Sequence, residues 1–206
     1  MVPQAVIFDI GNVLIEWQPE KYFDSIIGPA RRREMFAEID IHAMMVRIDA
    51  GEEFAAVIED TAAGHPRWRE HVLRFRWKWC DIAQPDIPGS VRLLLALRCK
   101  GVPVFALSNF GAQNFPLSEK QFPFLAEFDR RYISGEMGMV KPDPAIYAAV
   151  EADCGIAPSR LFFTDDRADN IAAARERGWR AHLFDGPDGL AQALANQGLL
   201  SPEELQ

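Results

Sequence analysis

Cysteine is scarce in this sequence: Cys80, Cys99 and Cys154 are the only three among 206 residues. Their number is odd, and no CxxC or zinc-like spacing joins them. That excludes a disulfide-stapled scaffold and leads to the expectation of reduced thiols in a cytoplasmic protein. Basic charge is also short, with 22 Lys and Arg against 30 Asp and Glu and a formal net charge of -8. A nucleic-acid partner calls for a basic face, so none is expected. No apolar run approaches the roughly 20 residues that cross a bilayer, and no membrane partner is expected either. The apolar opening stretch carries Asp9 in its middle and no basic leader, unlike the layout of a signal peptide. Internal repeats and low-complexity tracts are absent. So are a G-x-S-x-G elbow and any plausible Cys/His pair, which removes the usual rival nucleophiles.

What remains is an ordinary globular balance, 49% hydrophobic and 25% charged, in a chain long enough for one α/β domain or a core with a small insert. Short apolar runs that stop abruptly on polar residues recur along it. Ala5 to Phe8 stops at Asp9-Ile10-Gly11-Asn12, and residues 102–107 stop at Ser108-Asn109. Residues 160–163 stop at Thr164-Asp165-Asp166, and residues 179–184 at Asp185-Gly186. Such runs are the mark of strands buried on both faces of a parallel sheet. Helical stretches over 90–100, 144–154 and 168–177 each close on a glycine, Gly101, Gly155 and Gly178, as C-caps do. Strand, turn and helix in alternation predict a doubly wound parallel α/β fold with right-handed crossovers.

Residues 19–88 break that rhythm. They offer no convincing strand, and the pattern predicts helices at 19–27, 29–39, 41–50, 52–63 and 66–79. A small all-helical cap domain spanning 18–87 is therefore expected, inserted after the first strand into a core made of 1–17 and 88–206. The Pro- and Gly-rich return at 84–89 suits such a boundary.

Ligands of open parallel sheets bind at the carboxyl ends of the strands. Here those ends carry Asp9, Ser108, Asn109, Asp165, Asp166 and, more loosely, Asp185, while Lys141 lies in a proline-rich loop before the helix at 144–154. Clustered carboxylates repel one another and need a hard dication to be stable together, and Mg²⁺ prefers oxygen ligands. An aspartate kept ionised beside Mg²⁺ and a lysine can attack phosphorus.

These segments resemble the signature set of the haloacid dehalogenase superfamily, in its subfamily with a helical insert after the first strand. Phe8-Asp9-Ile10-Gly11-Asn12-Val13-Leu14 resembles the nucleophile motif and Leu107-Ser108-Asn109 the second. Val140-Lys141-Pro142-Asp143-Pro144 resembles the third, and Phe163 to Asn170 the metal motif. The resemblance implies that Asp9 is nucleophile and magnesium ligand, that Gly11 lends its backbone carbonyl to the metal, and that Ser108 and the Asn109 amide bind phosphate. It implies further that Lys141 orients Asp9 and neutralises the intermediate, that Asp166 ligates Mg²⁺ directly, and that Asp165 reaches it through water. The substrate implied is a small-molecule phosphate ester, and the enzyme is expected as a monomer or homodimer. An F-D-x-G-N-V first motif is similar to a branch acting on glucose 1-phosphate.

One departure stands out. Phosphatases of the superfamily usually carry a second Asp two residues after the nucleophile, as acid and base; here that residue is Gly11. Two alternatives follow, a metal-free 2-haloacid dehalogenase and a non-catalytic binding protein. Trp17, just past the nucleophile loop, is the best further candidate for substrate contact. Arg74, Arg76, Lys78 and the tryptophans at 68, 77 and 79 are expected mainly to pack or face solvent. The four histidines lack ligand spacing to one another.

Overall fold

The computed structural model describes residues 2–201; residue 1 and residues 202–206, assigned above to the core, lie outside the described residues. Seven strands form among the described residues: β1 Ala5–Phe8, β2 Ile15–Trp17, β3 Ala83–Asp86, β4 Val104–Ser108, β5 Arg130–Ile133, β6 Leu161–Asp165 and β7 Arg180–Leu183. Five of them make one sheet in the order β5-β4-β1-β6-β7, parallel throughout. The chain winds outward from β1 through β4 to β5, then returns to place β6 and β7 on the other side. β1 therefore sits at the switch point, where a crevice opens above the strand ends.

The continuous apolar runs follow from burial on both faces. Along β1, Val6 and Phe8 turn to one face and Ala5 and Ile7 to the other. The second face is covered by α10 (Pro144–Cys154) and α11 (Ala168–Glu176), whose Ile146, Tyr147, Val150 and Ile171 pack on Ile7, Leu107 and Phe163. The first face is covered by α7 (Pro88–Cys99) and α12 (Pro187–Asn196) through Leu93, Leu94, Leu97, Leu190 and Leu194.

Between β2 and β3 lie six helices, α1 Pro19–Ile27, α2 Pro29–Glu38, α3 Ile41–Asp49, α4 Phe54–Gly64, α5 Arg69–Trp77 and α6 Trp79–Ile82. The helix expected over 66–79 is interrupted: Pro66–Trp68 forms a tight 3₁₀ turn, and Lys78 breaks the chain again before α6. The expectation of no strand in 19–88 is corrected too. β3 pairs antiparallel with β2, Trp17 opposite Ala83 and Ile15 opposite Asp86, so the chain leaves and re-enters the core through a two-stranded ribbon. One buried cluster runs unbroken from the sheet face into these helices, where Phe23, Met35, Ile48, Trp68 and Phe75 are fully buried. Two short helices complete the elements, α8 Phe115–Gln121 and α9 Ser134–Met137. No helix among the described residues is long and apolar enough to cross a membrane.

Ile7, fully buried at the sheet centre, tests this packing. Ile7→Ala should cost about 2–5 kcal/mol in urea denaturation with an unchanged slope. A loss below about 1 kcal/mol would contradict the layered core.

Candidate active site

Strand order decides which residues meet. β1, β4 and β6 are neighbours, so the residues at their carboxyl ends, Asp9, Ser108 and Asp165, stand side by side. Asp185 does not join them. It follows the edge strand β7, is exposed, and faces His182 at 3.5 Å. The sequence placed it loosely at a strand end, but an edge strand ends away from the switch point.

Asp9 is nearly buried. Its Oδ1 accepts from the Ile10 N–H at 2.7 Å and from the Ser108 hydroxyl at 2.6 Å, and lies 3.0 Å from Lys141 Nζ. Its other oxygen, Oδ2, receives no hydrogen bond among the described residues. Lys141 is buried as well, and its ammonium donates to Asp165 Oδ2 at 2.6 Å and to the Leu107 carbonyl at 2.9 Å. The Lys141 loop is clamped by Asn109. The Asn109 side chain accepts from the Lys141 N–H at 2.8 Å and donates to the Lys141 carbonyl at 2.9 Å. Any phosphate contact from Asn109 thus falls to its backbone N–H.

Asp165 is saturated. It accepts from the Arg167 N–H at 2.8 Å, from the Asn170 amide on both oxygens at 3.0 Å, and from Lys141. Asp166 is freer, with the Asn12 amide on one oxygen at 3.1 Å. Asn12 adopts a left-handed φ of 55°, a conformation that asparagine tolerates better than most, and its side-chain oxygen accepts from the Trp17 N–H at 2.9 Å. One residue thereby ties the loop after β1 both to Asp166 and to β2.

Oxygens of Asp9, Asp165 and Asp166 lie within 4.8 Å of one another, a group that could hold a metal ion. The electrostatics agree. Burial, and then Asp165 and Asp166, push the Asp9 carboxyl above the ordinary range against the pull of Lys141 and Ser108. Asp166 is raised as well, by burial first. Burial opposes the charge on Lys141, yet Asp9 and Asp165 together hold its pKa above the usual lysine value.

Above these groups is a cavity of about 270 Å³. Gly11, Asn12, Asn109 and Asp166 line its floor with Asp9, Ser108 and Lys141, and Trp17, Met45, Val46, Trp79 and Phe110 line its walls. Trp17 stacks on Trp79 with centroids 5.2 Å apart, so it belongs to the wall. Among the other insert residues flagged by sequence, Trp79 alone lines this cavity. Trp68 is buried, Trp77 is exposed, Arg76 pairs with Glu59, Lys78 pairs with Asp81, and Arg74 reaches Tyr22. Sequence reasoning missed α3, which contributes His42, Met45, Val46 and Asp49. Asp49 is half-buried, and desolvation, then Asp9, opposed by Lys141, pushes its carboxyl up to about 7.

A buried lysine bridges two carboxylates, with a third acid beside them, at the switch point of a doubly wound sheet. The haloacid dehalogenase-like hydrolase family model matches residues 3–178, and the chain belongs to that family. It is 32% identical over 203 residues to drimenol cyclase drtB of Aspergillus calidoustus, covering 94% of this chain but 36% of the cyclase. Indeed the chain spans about half or less of the length of the curated relatives first matched. Sesquiterpene phosphatase astK of Aspergillus oryzae is 26% identical, covering 88% of this chain and 90% of the phosphatase. Among solved structures, the haloacid dehalogenase family enzyme BT-2542 of Bacteroides thetaiotaomicron aligns with a TM-score of 0.71 at 25% identity, covering 90% of this chain and 95% of that one. A variant of that enzyme, solved with magnesium and inorganic phosphate, aligns with a TM-score of 0.70.

Lys141→Met leaves the buried carboxylates without their counter-charge and should cost about 3–5 kcal/mol at neutral pH. Its absence lifts the Asp9 pKa further above the unfolded value of about 3.9, so the folded variant binds more protons than the unfolded chain above that pH. Stability then falls as pH rises, and thermal melts of the variant should show a higher Tm at pH 5.5 than at pH 8. A variant that tracks the parent across this range would contradict the charge bridge.

Proposed function

We propose that this hydrolase is a magnesium-dependent phosphatase that cleaves a small phosphate monoester through an aspartyl-phosphate on Asp9. The observation that carries the reading is charge. Three carboxylates share a pocket with a single buried ammonium, and one oxygen of Asp9 is unengaged. That donor set fits a hard dication with oxygen ligands. Asp9, Asp166 and the Gly11 carbonyl would hold it directly, with the saturated Asp165 reaching it through water. When bound, the ion neutralises charge on the phosphoryl oxygens.

The chain's own residues do the rest. Asp9 attacks phosphorus and the bond to the leaving oxygen breaks. Ser108 and the Asn109 N–H hold the transferring group, and Lys141 offsets its charge. Water then attacks the aspartyl-phosphate, releasing phosphate and restoring Asp9. Residues 18–87 act as the cap domain that keeps bulk water out. A 2-haloacid dehalogenase needs no cation, so the acidic trio favours the phosphatase.

The cavity walls bear on the substrate. A sugar phosphate, as the first motif suggests, would need hydrogen-bonding partners for its hydroxyls. The walls are mostly apolar, with two tryptophans, a phenylalanine, Met45 and Val46 beside the polar Glu16, His42 and Asp49, and the nearby Ser118 hydroxyl already accepts from Trp79 at 2.8 Å. They favour an apolar leaving group, and one relative is named a sesquiterpene phosphatase.

Asp9→Asn should lower turnover of p-nitrophenyl phosphate by on the order of 10⁴-fold or more. Chelation should abolish it and Mg²⁺ restore it, with Mg²⁺ at a hundredfold its Kd stabilising the fold by about 2.7 kcal/mol, or about 5–10 °C in Tm. Metal-independent turnover, or an active Asp9→Asn enzyme, would remove the mechanism.

Burial of each methylene contributes about 0.8 kcal/mol, so kcat/KM should rise about fourfold per carbon along short alkyl phosphates. Branched isoprenyl phosphates should exceed glucose 1-phosphate at least tenfold. The reverse order would restore the sugar-phosphate reading.

A further inference from the structure

Gly11 leaves the enzyme without the carboxylate that would protonate a departing alkoxide, and nothing lies within 4 Å of where its Cβ would be. The floor of the site offers no substitute. Asp165 is saturated, Lys141 is committed to Asp9 and Asp165, and Arg167 is engaged with Asp169. Of the titratable groups on the walls, Glu16 has a buried carboxylate oxygen with no hydrogen-bond partner among the described residues and Lys21 at 3.9 Å, and His42 is exposed at the rim. Asp49 differs from both. It closes α3 and lines the same cavity, interacts electrostatically with Asp9 and Lys141, and, like the Glu16 Oε2, accepts no hydrogen bond from protein among the described residues.

Its placement is also fixed. The Asp49 carbonyl accepts from the Ser134 hydroxyl at 2.6 Å, and the same hydroxyl accepts from the Phe110 N–H at 2.9 Å, two residues past Ser108. The end of α3 is therefore fastened to the loop that follows the phosphate-binding serine. Gly111 lets Ile48 pack directly on that loop, where a Cβ would collide with it. Gly51 turns the chain away with a φ of 104°.

We propose that Asp49, delivered by the helical insert, is the proton donor to the leaving group and the base that activates the attacking water, in place of the acid absent at position 11. In the first step the Asp49 carboxyl gives its proton to the leaving oxygen as the bond to phosphorus breaks. In the second its carboxylate takes a proton from water as that water attacks the aspartyl-phosphate, and the enzyme returns to its starting state. The half-buried position of Asp49 in the lining of the cavity suits a group that must hold and release a proton near neutrality. The proposal rests on the phosphatase reading above.

The test is rapid-mixing kinetics of Asp49→Asn with Mg²⁺, using p-nitrophenyl phosphate, whose leaving group needs no proton, and an alkyl phosphate, whose leaving group does. Phosphorylation by p-nitrophenyl phosphate should keep its rate to within about tenfold and show a burst of one p-nitrophenol per enzyme before a slow phase. With the alkyl phosphate the first step should fall by about 10²–10⁴-fold. Equal losses on both substrates, or no loss on either, would overturn the role of Asp49. Because the Asp49 side chain accepts no hydrogen bond from protein, the variant should retain the parent's Mg²⁺-dependent rise in Tm. Inactivity of Asp9→Asn beside a fully active Asp49→Asn would discard this proposal alone, whereas an active Asp9→Asn would discard the phosphatase reading beneath it.

Discussion

The site depends on one buried ammonium. Lys141 Nζ lies 3.0 Å from Asp9 and 2.6 Å from Asp165, with almost no access to water. Buried charges persist only when paired and hydrogen-bonded. This one is met on three sides, the third being the Leu107 carbonyl. It binds the loop before α10 to the ends of β1, β4 and β6, so elements far apart in sequence share one electrostatic centre. Yet it cannot balance the site, because Asp166 adds a third carboxylate. In the proposed reaction, which adds a phosphate to this surplus negative charge, a dication is chemically necessary.

Work divides between the two parts of the chain. The sheet supplies a polar floor whose side chains are locked by each other: Asn109 on Lys141, Asn170 on Asp165, Asn12 between Asp166 and Trp17. The helical insert supplies an apolar wall and one carboxylate. Ser134 and Phe110 fasten its α3 to the floor, which fixes the wall over Asp9. Groups so held lose little freedom when substrate arrives.

How much of this was legible in the sequence depended on burial. The central strands β1, β4 and β6 are apolar on both faces, so their runs stand out, and α10 fell on its expected residues 144–154. The edge strand β5 was missed because Arg130 and Arg131 face solvent and interrupt any apolar run. β2 and β3 are short, and β3 carries a proline, which reads as a turn. In the site, Asp9, Ser108, Lys141, Asp165 and Asp166 were readable because each follows a strand or sits in a motif. Asp49 was not. Nothing local marks an aspartate at the end of an amphipathic helix as facing a site, since the tie from Ser134 that aims it spans 85 positions. Asn12 and Asn170 fell within the motifs read from sequence, but their roles were not legible because their partners are set by tertiary structure.

The central claim is that Asp9 becomes covalently phosphorylated. Acid quenching during turnover of p-nitrophenyl phosphate, followed by borohydride reduction and peptide mass spectrometry, reads this directly. Conversion of Asp9 to homoserine in proportion to trapped phosphate is the predicted result. Turnover that leaves Asp9 unmodified, or modification at another carboxylate, would contradict it.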